Sequence, residues 1–97
     1  MEKIENKEKK SYEFFKPQYP NRLILFEVGD FYEAYEDDAV EISRILDIHL
    51  ASKPNIGLEH FCGFPRCHID KYLPILIKNS KGVVMIATLE KVYENKD

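Results

Sequence analysis

The chain has 97 residues, enough for one compact domain with a thin core. Its composition, 44 % apolar and 32 % charged, is that of a folded globular chain rather than a disordered one. A formal net charge of −3 argues against an autonomous nucleic-acid binder, which carries a basic surplus. Two cysteines are too few for a disulfide framework. No apolar run approaches the ~20 residues of a membrane span. The N-terminus lacks the apolar segment of a signal peptide. An intracellular, cytoplasmic location without membrane association is the expectation.

Residues 1–10, almost all Lys, Glu and Asn, read as a flexible tail or a solvated first helical turn. Residues 11–97 read as a single domain. Ser11 to Lys16, with Tyr12, Phe14 and Phe15, suggests a short amphipathic helix with Ser11 as its cap, broken by Pro17 and Pro20. Arg22 to Val28 is rich in strand formers and too short for a typical helix. Gly29-Asp30 marks a turn, and Phe31 to Tyr35 reads as the hairpin partner. Alternation then puts Phe31, Glu33 and Tyr35 on one strand face, with Tyr32 and Ala34 on the other.

Glu36, Asp37 and Asp38 place negative charge where a helix dipole favours it, opening a helix to Leu46 with Ala39, Ile42, Ile45 and Leu46 as its apolar stripe. Ile48 to Ser52 is a third strand candidate, and Lys53 to Glu59 a loop. His60 to Phe64 is a fourth strand, interrupted at Gly63 and ended by Pro65. Ile69 to Asn79 reads as a helix with Ile69, Leu73, Leu76 and Ile77 inward and Pro74 inside it. Val83 to Thr88 is so continuously apolar that it suggests a central strand buried on both faces. The order α-β-β-α-β-β-α-β implies an α/β (α+β) fold, a mixed β-sheet flanked by helices.

Val28 to Tyr35 (Val-Gly-Asp-Phe-Tyr-Glu-Ala-Tyr), followed by Glu-Asp-Asp-Ala, resembles the signature of the N-terminal domain of MutS proteins. Similar segments continue in order: Tyr19-Pro20, Ser43 to Leu50, Cys62-Gly63-Phe64-Pro65 and Tyr72-Leu73. Together they cover Phe14 to Thr88. The resemblance implies a module that probes mispaired bases in duplex DNA. Phe31 would wedge into the duplex and stack on the mispaired base, and Glu33 would hydrogen-bond that base. Arg22, Arg44, Lys53 and Arg66 are the candidates for phosphate contacts, with Lys53 and Arg66, in loops near the two glycine turns, preferred. The family pattern is departed from at Cys67, where His is common, and at Ile86-Ala87-Thr88, where a Cys-Glu-Gln-like segment is common.

The charge around the motif constrains this reading. Glu27 to Asp47 holds eight carboxylates and one cation, Arg44. DNA contact would therefore need positive charge from other domains of a larger protein or complex. The alternative is an interaction or scaffolding domain that kept the fold without mismatch binding. No Gly-x-x-x-x-Gly-Lys-Ser/Thr loop is present, and no enzyme activity or cofactor is expected. His60, Cys62, Cys67 and His68 offer zinc-type ligands within nine residues. Their His-x-Cys-x₄-Cys-His spacing is not a standard finger pattern. Free thiols and surface imidazoles are the simpler reading, and no metal site is expected.

Overall fold

The computed structural model describes residues 7–87. Its helices are α1 (Lys7–Phe15), α2 (Glu36–Leu46) and α3 (Ile69–Lys78). Its strands are β1 (Leu23–Val28), β2 (Phe31–Tyr35), β3 (Ala51–Lys53), β4 (Leu58–Pro65) and β5 (Val83–Ile86). Single 3₁₀ turns fall at Lys16–Gln18, Pro54–Ile56 and Arg66–His68. The strands form one sheet in the order β3-β4-β2-β1-β5. β1 and β5 are parallel and every other pairing is antiparallel, so the sheet is mixed, as expected. Among the described residues no helix is long and apolar enough to cross a membrane.

The core lies on both sides of this sheet. On one side Ala39, Ile42 and Leu46 of α2 and Leu76 of α3 pack on Leu23, Leu25, Tyr32, Ala34, Cys62 and Phe64. On the other, Tyr12 and Phe15 of α1 pack on Ile24, Phe26, Tyr35 and Leu58. β1 feeds both clusters with consecutive residues, and Leu23 to Phe26 are all buried. Each such side chain contributes about 1.5–3 kcal/mol of burial free energy.

Several expectations shift. Among the described residues the strand buried on both faces is β1, whereas Val83–Ile86 is only partly buried. Among the described residues β5 has a neighbour on one side only, and Met85 is 38 % exposed. Thr88 lies outside the described residues. Helix α1 begins by Lys7, so Ser11 is a buried helix-interior residue rather than a cap. Of the residues read as a tail, 1–6 lie outside the described range. β3 starts later than expected, at Ala51, and takes in Lys53. β4 starts earlier, at Leu58, and runs unbroken through Gly63, because antiparallel pairing with β2 continues across it. In α3, Pro74 is accommodated on an exposed position, where its ring disturbs no core contact. Ile77 is 53 % exposed and is not part of the inward stripe.

One polar contact joins three of these pieces. Asp38, in the first turn of α2, is buried. Its Oδ2 accepts the backbone N–H of Ile24 at 3.1 Å and its Oδ1 accepts Lys16 Nζ at 2.8 Å. Lys16 also donates to the Arg22 carbonyl at 2.7 Å. Phe26 pairs with Glu33, so Ile24 falls level with Tyr35, where β2 gives way to α2. The carboxylate thus takes the place of a missing strand partner. Burial pushes the Asp38 pKa up, while the Lys16 ammonium and the Ile24 N–H oppose that shift. Asp38→Ala would leave a buried N–H and an ammonium unpaired. We expect it to destabilise the chain by about 2–3 kcal/mol in urea unfolding, with Asp38→Asn, which keeps an acceptor for Ile24, losing less.

Candidate nucleic-acid interface

Val28 pairs with Phe31 across the two-residue loop Gly29-Asp30. Gly29 has φ +60°, and a Cβ there would meet nothing within 4 Å. The requirement for glycine is therefore conformational, as in tight hairpin turns that place glycine first. The Asp30 carbonyl accepts the Arg66 backbone N–H at 2.8 Å, which ties the hairpin tip to the chain leaving β4.

From that tip the side chains of β2 alternate as expected. Tyr32 and Ala34 enter the core beneath α2 and α3. Phe31, Glu33 and Tyr35 share the opposite face, and burial rises steeply along it. Phe31 is 46 % exposed, Glu33 is half-buried and Tyr35 is fully buried. The Tyr35 ring is stacked between Phe26, at 5.1 Å, and Phe61, at 6.2 Å. Its hydroxyl donates to Glu33 Oε1 at 2.8 Å. Burial raises the Glu33 pKa above the ordinary carboxylate value. The Tyr35 hydroxyl and the Lys53 ammonium pull it down, and the charge of Glu8 pushes it up. Opposite Glu33 in the β2–β4 ladder stands Gly63. A Cβ there would lie 3.0 Å from the Tyr32 carbonyl oxygen and 3.4 Å from Glu33 Cγ. The residue read as a strand break instead keeps room beside the carboxylate.

The two preferred basic candidates separate. Lys53 Nζ sits 4.0 Å from the centre of the Phe61 ring, on the Glu33 side of the sheet. Arg66 lies across the hairpin tip on the Tyr32 side, its guanidinium carbon 5.8 Å from the Tyr32 ring. Its Nη1 donates to the Gly29 carbonyl at 3.3 Å, and its Nη2 is 3.7 Å from a Glu27 oxygen. Phe31, Tyr32, Pro65 and Arg66 border an open groove of about 580 Å³ at this end of the sheet. Phe31, Glu33 and Lys53 are therefore brought to one face, with Arg66 around the corner from them.

The acidic run is less available than its sequence suggests. Glu27 faces Arg66, Glu33 accepts from Tyr35, Asp38 pairs with Lys16 and Glu41 with Arg44. Glu36 Oε1 accepts the backbone N–H groups of Glu59 and His60, both at 3.2 Å, and its Oε2 is 3.6 Å from Lys9 Nζ. The zinc-type residues do not converge. Cys62 is buried with its Sγ 3.6 Å from the Ala39 carbonyl, whereas Cys67 is exposed. Burial pushes the Cys62 thiol up to about 12, so it stays protonated. Among the described residues no group of three or more His, Cys, Asp or Glu is placed to hold a metal ion.

The candidate residues named from the sequence did not include Tyr35 and its hydroxyl. The signal was present as a tyrosine two residues after a glutamate on one strand, which puts both on the same face.

Because its folded pKa is raised, Glu33 holds its proton more tightly in the folded state than in the unfolded chain. Its contribution is fully present below the unfolded carboxylate pKa of about 4.3 and is lost as pH rises through the folded value. Glutamine at this position cannot ionise and keeps an oxygen acceptor for Tyr35. Glu33→Gln should therefore gain stability over the unsubstituted chain as the pH is raised from about 4 to 8, read by urea unfolding across that range.

The family model for MutS domain I matches residues 8–97. A DNA mismatch repair protein MutS from Christiangramia forsetii is 41 % identical over 80 residues, covering 81 % of this chain and 9 % of its own length. The protein of the same name from Flavobacterium psychrophilum is 43 % identical over 84 residues, covering 84 % of this chain and 10 % of its own length. That of Prochlorococcus marinus is 40 % identical over 89 residues, covering 89 % and 10 % respectively. The chain thus spans about a tenth of the length of the curated relatives it matches. A family match over nearly the whole chain, on a mixed sheet with three helices among the described residues and the Gly-Asp-Phe-Tyr-Glu hairpin turning at one end of its inner strands, means that this chain belongs to the MutS domain I family.

Proposed function

We propose that this domain probes base pairs in duplex DNA and reports mispaired ones, as part of a longer polypeptide or a complex. The observation that carries the reading is the position of Phe31. Its ring is exposed at the hairpin end of β2, one residue pair along the same face from a half-buried carboxylate. A wedge of this kind gains about 1–3 kcal/mol per stacked base. Opening a base step costs a few kcal/mol and kinks the duplex. A mispaired step is cheaper to open, so the deformability of the DNA becomes the signal.

Glu33 is the polar half of the probe. A carboxylate near phosphates is normally repelled, but burial favours its protonated form. A neutral carboxyl group donates a hydrogen bond to an acceptor on a base edge and adds no charge beside the backbone. Lys53, on the same side of the sheet, offers a cation for a phosphate, and Arg66 offers another at the hairpin tip. The partial engagement of Arg66 by Glu27 and the Gly29 carbonyl supports a division of labour. Other domains would supply most of the backbone contacts and this one would read the base.

The test replaces domain I of the Flavobacterium psychrophilum protein with residues 8–97 of this chain and measures binding to matched and mismatched duplexes at fixed low salt. We expect a preference for the mismatch that Phe31→Ala reduces by about 1–3 kcal/mol, roughly 5- to 150-fold in affinity. Equal binding to both duplexes, unchanged by Phe31→Ala, would leave the fold serving as an interaction module.

A further inference from the structure

Tyr35 carries a polar atom that packing does not require. Its ring is enclosed between Phe26 and Phe61, and phenylalanine would fill the same space. A buried hydroxyl is unfavourable unless it is hydrogen-bonded. Here its partner is Glu33 Oε1, at 2.8 Å and two residues back on the same strand face. Because the ring is fully buried and stacked on both sides, the hydroxyl is a fixed point, and the half-exposed Glu33 side chain is the movable member of the pair.

We propose that Tyr35 is the positioning residue for Glu33: its hydroxyl clamps Oε1 and so presents Oε2 as the atom that meets a base. This rests on the base-probing reading above. Among the described residues Oε2 takes no hydrogen bond, and the glycine opposite, Gly63, leaves the space beside the side chain open. The groups that act on Glu33 come from three directions. Tyr35 lies on its own strand, Lys53 on β3 and Glu8 on α1. Among the described residues only Tyr35 makes a directional contact with it. The hydrogen bond fixes one oxygen and favours the ionised form, against the burial that favours the neutral one. The same hydroxyl therefore sets where the carboxyl group points and how readily it gives up its proton.

Tyr35→Phe removes the hydroxyl and keeps the stack. In the full chain, the Glu33 side-chain carboxyl is followed by carbon-13 NMR against pH. Loss of a bond to the ionised form should move its midpoint upward. In the chimeric repair protein, Tyr35→Phe should reduce mismatch preference about three- to tenfold and shift its pH profile in the same direction. In a Glu33→Ala background the same substitution should change neither, since the group it acts through is gone. An unmoved Glu33 titration, or a loss of preference that persists in Glu33→Ala, would overturn the positioning role. Failure of the base-probing reading has a different signature: matched and mismatched duplexes would be bound equally, or Phe31→Ala and Glu33→Ala would both leave any preference unchanged.

Discussion

A single buried carboxylate decides how the two halves of this fold meet. β2 is only five residues long, and at its end the chain turns directly into α2. That leaves β1 longer than its partner, with the Ile24 N–H facing the place where the partner has ended. Water cannot serve that group, because Ile24 is fully buried. Asp38, on the first turn of the helix that replaces the strand, supplies the acceptor. Lys16 then balances the charge from the segment after α1. Strand, helix and N-terminal segment are fixed relative to one another by one side chain. The hairpin projects from that joint, so its aim depends on it.

Along β2 a single strand face changes character within five residues. Tyr35 lies under α1 and between two aromatic rings, Glu33 sits at the margin, and Phe31 emerges at the tip. The gradient follows from α1 being the only helix on that side among the described residues, whereas α2 and α3 share the other. An exposed aromatic at one end and a buried phenol at the other make different uses of the same face. The carboxylate between them is dry enough for its proton affinity to rise and still within reach of the surface.

The acidic surplus looks incompatible with a surface near DNA until its partners are traced. Five of the eight carboxylates between Glu27 and Asp47 are engaged by a cation, a hydroxyl or backbone amides. Several of them hold the fold together instead of projecting a field. The same engagements use up cations. Lys16 and Arg44 are committed to Asp38 and Glu41, and Arg66 partly to Glu27 and the Gly29 carbonyl. The result is a hairpin tip whose neighbouring cation, Arg66, is already engaged, which suits a probe better than an anchor.

The order of the elements, the hairpin, the alternation along β2 and the family were all legible in the sequence. Each is local. Alternation is fixed by backbone geometry at period two, Gly29-Asp30 marks its own turn, and ordered motifs survive without knowledge of their contacts. Apolar continuity was equally visible in Leu23 to Phe26 and in Val83 to Ile86, but it could not tell which of the two strands would have neighbours on both sides. Strand order is a matter of long-range pairing, and it put β1 inside and β5 at the edge of the described sheet. The sequence by itself determined that Phe31, Glu33 and Tyr35 would share a face. Only the tertiary structure decided that Phe31 would be open, that Tyr35 would be sealed and bonded to Glu33, and that Asp38 would be a joint rather than a solvated helix start. Burial and partnership are set by which elements pack together, and residues distant in the chain make that choice.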